Sequence, residues 1–174
     1  MPTIRAIRTY LELASRQALR PAPIASHVRL LRLDPCGLAD YRVLYTEVGG
    51  PWRWGERTYW CDDRLAAHLA RPEVTVYELR VANERAGFAE LIREDSGAVE
   101  IAYFGLLPRF IGRGLGGHFL TVVAEEAWRM NASRVWLHTC TLDAPAALPN
   151  YLARGFVVTR VEGYDEVVPE GQTG

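Results

Sequence analysis

The chain has 174 residues, 49% of them apolar, with a formal net charge of −1, enough for one core and too few for two ordinary domains. A balanced charge gives no electrostatic pull toward nucleic acid or an anionic membrane, so neither is expected as a partner. All 20 basic side chains are arginine, which removes the Walker-type phosphate loop, the Schiff base and the lysine general base together.

Residues 1–27 are expected to form an N-terminal extension of a single domain spanning 1–174. Within it Ile7, Thr9, Leu11 and Leu13 alternate with Arg8, Tyr10 and Glu12, a pattern that suits an edge strand about as well as a short helix, with the strand preferred. The same arginines and glutamate interrupt any apolar stretch, so neither a signal peptide nor a membrane span is expected here. Pro21 and Pro23 forbid a helix in the connector that follows. "HVRLLRL" predicts a strand, and "CGLADYRVLYTEV" a helix with Leu38, Tyr41, Leu44, Tyr45 and Val48 on one side. An aromatic loop, "GGPWRWGERTYW", breaks that helix. "CDDRLAAHLAR" is a short helix whose first-turn acids complement the helix dipole. Three strands in quick succession, "EVTVYELRVA", "ERAGFAELIRE" and "GAVEIAYFGLL", predict an antiparallel meander joined by hairpin turns. A long helix is expected from about Gly114 to Met130, with Gly116, Leu120, Val123, Ala127 and Met130 on its buried face. "RVWLHTC" reads as a strand, "APAALPNYLAR" as a helix ended by Gly155, and "FVVTRVEGYDEVV" as strand again. Residues 169–174 read as a loose tail. Strands in a meander, then alternating with helices, make the fold class α/β (α+β): a mixed sheet, antiparallel early and with a parallel crossover late.

Cys36, Cys61 and Cys140 are odd in number and lack both a CxxC pair and a histidine cluster at ligand spacing. Neither a disulfide framework nor a metal site is expected, and a reducing cytoplasm fits best.

The stretch "PRFIGRGLGGHFL" places Gly112, Gly114, Gly116 and Gly117 between an apolar run and a helix. Glycines this dense let a backbone come close to phosphate oxygens. A P-loop is excluded, because no Lys-[Ser/Thr] follows. Gly112, Gly114 and Gly117 satisfy G-x-G-x-x-G, yet Pro108 to Ile111 separate them from the strand end. The next strand also ends without the ribose-binding carboxylate, and flanking βαβ repeats are lacking. The remaining motif is R/Q-x-x-G-x-G/A, met by "RFIGRG".

That motif and its context resemble the GNAT superfamily of N-acetyltransferases, from about Glu73 to Val158. "EIAYFGLLP" is similar to the family's fourth, splayed strand and "AALPNYLARGF" to its A-x-x-x-Y-x-x-x-G-F segment. The resemblance implies a centrally splayed sheet and acetyl-CoA as co-substrate. Its pyrophosphate would meet the main chain of Gly112, Gly114, Leu115, Gly116 and Gly117, with Arg109 and Arg113 supplying charge or facing solvent. Its pantetheine would lie along the main chain of Tyr103, Gly105 and Leu106. An amine acceptor must lose a proton, for which Glu100 occupies the position of the family's general base; a solvent-facing glutamate is the alternative. Tyr151 stands where the family has its general acid, although Pro149 in the same helix threatens a kink that would turn it away. The amide of Leu106 would receive the oxyanion. His138 and Cys140, two apart on one strand, are not aligned as a nucleophilic pair, and Cys140 reads as a buried small hydrophobe.

The resemblance places the acceptor, a small molecule or a peptide amine, beneath the aromatic loop. Trp52, Trp54, Tyr59 and Trp60 would stack on it or else plug the core's edge, with Glu47, Glu56 or Asp62 pairing an ammonium. A sensor that binds acetyl-CoA without turnover, and a homodimer, both stay open.

Overall fold

The computed structural model describes residues 2–167; the tail expected at 169–174 lies outside them. Seven strands form one mixed sheet: β1 (Thr3–Leu13), β2 (Val28–Leu33), β3 (Val74–Val81), β4 (Glu84–Arg93), β5 (Val99–Leu106), β6 (Val135–Cys140) and β7 (Val157–Val167). Four helices accompany them, α1 (Leu38–Gly49), α2 (Asp62–Leu69), α3 (Leu115–Arg129) and α4 (Ala147–Ala153). The strand order is β2-β3-β4-β5-β6-β1-β7.

The meander β2 to β5 forms as its sequence predicts. β3 and β4 are joined at Ala82 and Asn83, both at positive φ (47° and 68°), the twist that matches a tight hairpin to its strands. Strand parity then sorts the helices. Glu90 lies opposite Val76 and hydrogen-bonds Tyr41 of α1, whereas Tyr77, one residue along and so on the other face, donates to Glu126 of α3 at 3.1 Å. The core fills both sides, with Leu44, Val48 and Phe88 on the α1 side and Leu91, Phe119, Leu120 and Val123 on the α3 side, all 0% exposed. The buried stripe of α3 includes Leu120, Val123 and Ala127 as expected, but Leu115, His118 and Phe119 replace Gly116 and Met130, which are only half-buried.

β1 departs from expectation. It is no edge strand but an interior one, antiparallel to β6 (Tyr10 opposite His138) and to β7 (Arg8 opposite Glu162). Alternation showed a strand with two different faces, and alternation carries no information about neighbours. No helix among the described residues is long and apolar enough to cross a membrane.

Candidate active site

The sheet opens at its centre. Among the described residues β5 pairs in parallel with β6 only at Val99–Val135 and Glu100–Trp136; from Ile101 onward its β6-facing edge has no strand partner among them, and a cavity of about 520 Å³ lies in the gap. The register against β4 runs Glu100–Ile92, Ile101–Leu91, then Tyr103–Glu90, so Ala102 is an extra residue, a bulge. In a regular strand, residues three apart face opposite ways. The bulge puts Glu100 and Tyr103 on the same face, the one that carries Glu90, Trp136 and His138.

Glu100 is therefore on the α1 face, beside the apex of the splay; the cavity lining begins at the next residue, Ile101. Burial first, then the charges of Glu94 and Glu90, push its carboxyl up to about 7. A group balanced between its two protonation states near neutrality is suited to moving a proton.

At one end the cavity is lined by Gly112, Gly114, Leu115, Gly116 and Gly117. Gly112 and Gly114 take φ of 81° and 74°, a conformation that side chains resist, and Gly114 directly precedes the first turn of α3. The amides of that turn have no intrahelical acceptors and so are available to an anion. Arg109 and Arg113 do not line the cavity: both guanidinium groups lie over the Phe110 ring at 5.0 Å, and Arg109 pairs with Glu84 at 3.4 Å. Gly105 has a packing role in addition to its place on the cavity edge, since a Cβ there would stand 2.6 Å from Val48 Cγ1 of α1.

Tyr151 reaches the cavity from α4, buried against Phe104 and Phe156. Burial, then the Asp143 charge, raises its hydroxyl above the ordinary tyrosine value, so it is protonated at neutral pH. The kink expected at Pro149 does not arise. α4 begins at Ala147 and its first bond runs from Asn150 N to Ala146 O at 3.1 Å, so Pro149 sits in the first turn, where a missing N–H costs nothing.

The far end joins the aromatic loop to β1, β6 and β7. Trp52, Trp54 and Glu56 line it, while Glu47, Tyr59, Trp60 and Asp62 do not. Asp62 is instead engaged by Arg42 at 2.7 Å. Trp54 is largely a plug: its ring packs on Tyr103 (5.1 Å), Tyr45 (5.7 Å) and Phe88 (6.2 Å). Its Nε1 donates to Asp143 Oδ1 at 3.3 Å, and Asp143 Oδ2 also accepts from Thr139 Oγ1 and the Cys140 amide. One carboxylate thus ties the loop to the end of β6. The opposite wall carries Arg8, His138, Cys140, Tyr164 and Glu166. Cys140 is half-buried on this wall rather than sealed in the core. The His138 ring packs beside Tyr10 and Trp136 with its outer edge open; partial desolvation there, then the Arg8 charge, lowers its pKa. The part played by Arg8, Tyr164, Glu166 and Asp143 is absent from the sequence expectations, because insertion of β1 between β6 and β7 brings the first three together.

Beneath the loop lies a buried ionic cluster. Glu90, 0% exposed, accepts from Tyr41 of α1, from His68 of α2 at 2.6 Å and from Arg57 Nη2 at 3.0 Å. Burial alone would raise the Glu90 carboxyl, but those hydrogen bonds and the Arg57 charge bring it below the usual value. Both members of the pair are charged, and of the Arg57 guanidinium nitrogens Nε alone has no hydrogen-bond partner among the described residues.

Residues 39–156 match the acetyltransferase (GNAT) family, and the chain belongs to that family. No curated protein matches it by sequence. Among solved structures, a GCN5-related N-acetyltransferase from Sphaerobacter thermophilus aligns with a TM-score of 0.66 at 16% identity, over 94% of this chain and 52% of that one. One from Kribbella flavida gives 0.62 at 15%, over 94% and 58%. An aminoglycoside acetyltransferase from an uncultured soil metagenomic sample, in complex with sisomicin, gives 0.59 at 12%, over 74% and 88%. Likeness at these identities concerns the fold. The chain spans 62%, 54% and 64% of the length of three further neighbours, those from Staphylococcus epidermidis, Drosophila and Novosphingobium aromaticivorans.

Proposed function

We propose that the protein transfers the acetyl group of acetyl-CoA to a primary amine by direct attack within a ternary complex. The observation that carries this is one continuous cavity, lined at one end by the glycine loop and at the other by Trp52, Glu56 and Tyr164, crossing the opened sheet between them. A thioester donor and an amine can meet only if both enter such a space from opposite sides.

The pyrophosphate would be held by the amides of Gly112 to Gly117, and the pantetheine by the freed edge of β5 at Tyr103, Gly105 and Leu106. Glu100, through a water, takes a proton from the acceptor ammonium. The amine nitrogen then attacks the thioester carbon, and the Leu106 amide stabilises the oxygen as it gains charge. The C–S bond breaks, the Tyr151 hydroxyl protonates the leaving thiolate and is reprotonated by the second proton that the nitrogen loses, and Glu100 returns its proton to solvent. Arg109, occupied by Glu84 outside the cavity, has no part in this step.

Calorimetry with acetyl-CoA and thiol release over a panel of amines test the proposal. Binding together with amine-dependent thiol release is the expected result. Tight binding of a nicotinamide or flavin dinucleotide, with none of acetyl-CoA, would overturn it; acetyl-CoA binding with no turnover on any amine or peptide would point to a sensor.

A further inference from the structure

At the acceptor end, Glu56 is held by two side chains, those of Arg57 and Tyr103. Its Oε1 accepts from Arg57 Nη1 at 3.1 Å and its Oε2 from the Tyr103 hydroxyl at 3.1 Å. Arg57 is held in turn: Nη2 on Glu90, the guanidinium 4.0 Å over the Trp60 ring and 5.1 Å from the Tyr103 ring, and the main-chain N–H on the Tyr45 hydroxyl at 3.3 Å. Arg57 bridges two carboxylates, one buried and one in the cavity.

The charge count follows from that bridge. Arg57 is one cation shared by two carboxylates, Glu90 and Glu56, and the Glu56 side chain is 64% exposed at the cavity, whose lining here also includes Arg53. On the opposite wall Arg8 faces Glu162 at 3.7 Å, and Glu166 adds another carboxylate to the lining. Trp52 and Tyr164 also line this end, the Tyr164 ring with the Arg8 guanidinium 4.4 Å above it. Carboxylates framed by aromatic faces favour cations.

Resting on the acetyl-transfer proposal, we infer that the acceptor carries a second positive charge besides its reacting amine, bound by Glu56, and that Glu90 is the positioning residue that aims Glu56 through Arg57. The reacting amine must give up its charge to become a nucleophile. A lasting attraction to Glu56 therefore needs a cationic centre elsewhere in the molecule.

The test compares diaminobutane with butylamine by thiol release in the full chain. The expected kcat/KM ratio is about tenfold or more in favour of the diamine, equivalent to roughly 1.4 kcal/mol. Glu56→Gln, at an exposed position, is expected to abolish the preference by raising KM for the diamine about tenfold, with the KM for acetyl-CoA unchanged. Glu90→Gln is expected to raise the diamine KM several-fold with the butylamine KM unchanged, a split that a merely structural role would not give; both are read at pH 8, because the Glu90 charge helps to raise the Glu100 carboxyl and its loss moves the acidic limb of kcat to lower pH. Should that variant fail to fold, Tyr103→Phe removes one of the two grips on Glu56 without touching the buried pair, and a two- to fivefold rise in diamine KM is expected. Equal kcat/KM for the two amines in the wild type, or equal losses on both in Glu56→Gln, overturns the inference and leaves acetyl transfer standing. No turnover of either amine, with acetyl-CoA bound, overturns both.

Discussion

The two ends of the cavity are built in contrasting ways. The glycine end comes from one short segment, Ile111 to Gly117, leading into the first turn of α3, and under the proposal it acts through backbone amides. The acceptor end is gathered from distant parts of the chain: Arg8 of β1, the loop from Trp52 to Glu56, His138 and Cys140 of β6, and Tyr164 and Glu166 of β7. Its function is exercised by side chains held by other side chains. A backbone cradle tolerates changes around it as long as φ is kept, whereas a side-chain wall can be re-specified one residue at a time.

Mutations should separate the two ends and the junction between them. The largest effect is expected at the junction: Glu100→Gln should lower kcat about 100- to 1,000-fold with acetyl-CoA affinity preserved by calorimetry. Wild-type kcat should rise with pH up to about 7, following loss of the Glu100 proton, and the variant should lack that limb. The same group affects stability. Its folded pKa lies above the reference 4.5, so its contribution is full below 4.5 and is lost as pH rises through about 7. The variant should melt level with the wild type at pH 4 and a few degrees above it at pH 8.

Next comes the glycine end. Gly114→Val forces a β-branched residue into φ of 74°, and acetyl-CoA should bind about 30-fold or more weakly. Trp52→Ala should leave that affinity within about twofold, and an equal loss in both would break the division between the ends. Tyr151→Phe should cost about tenfold in kcat with both KM values steady, measured by thiol release. The smallest change belongs to Arg109→Ala. With its guanidinium committed to Glu84 and Phe110, acetyl-CoA affinity should move less than about twofold, and a tenfold loss would restore this arginine to the phosphate site.

The sequence by itself determined most of the elements and the place of the glycine loop at the cavity. Period-two alternation marked the strands, and the dense glycines marked the cradle, because both are properties of short contiguous stretches that backbone geometry constrains directly. Glu100 and Tyr151 were legible as types in place, but whether they meet the cavity was not. Their orientation rests on the Ala102 bulge and on where α4 starts relative to Pro149, each a one-residue matter of register. Only the tertiary structure decided that β1 enters between β6 and β7, that Trp54 is pinned by Asp143, and that Glu90 and Arg57 stand behind Glu56. Those contacts join residues 33 to 89 positions apart or more, and they exist because pairing and burial are settled by the whole sheet, where no local pattern in the chain can specify the neighbour.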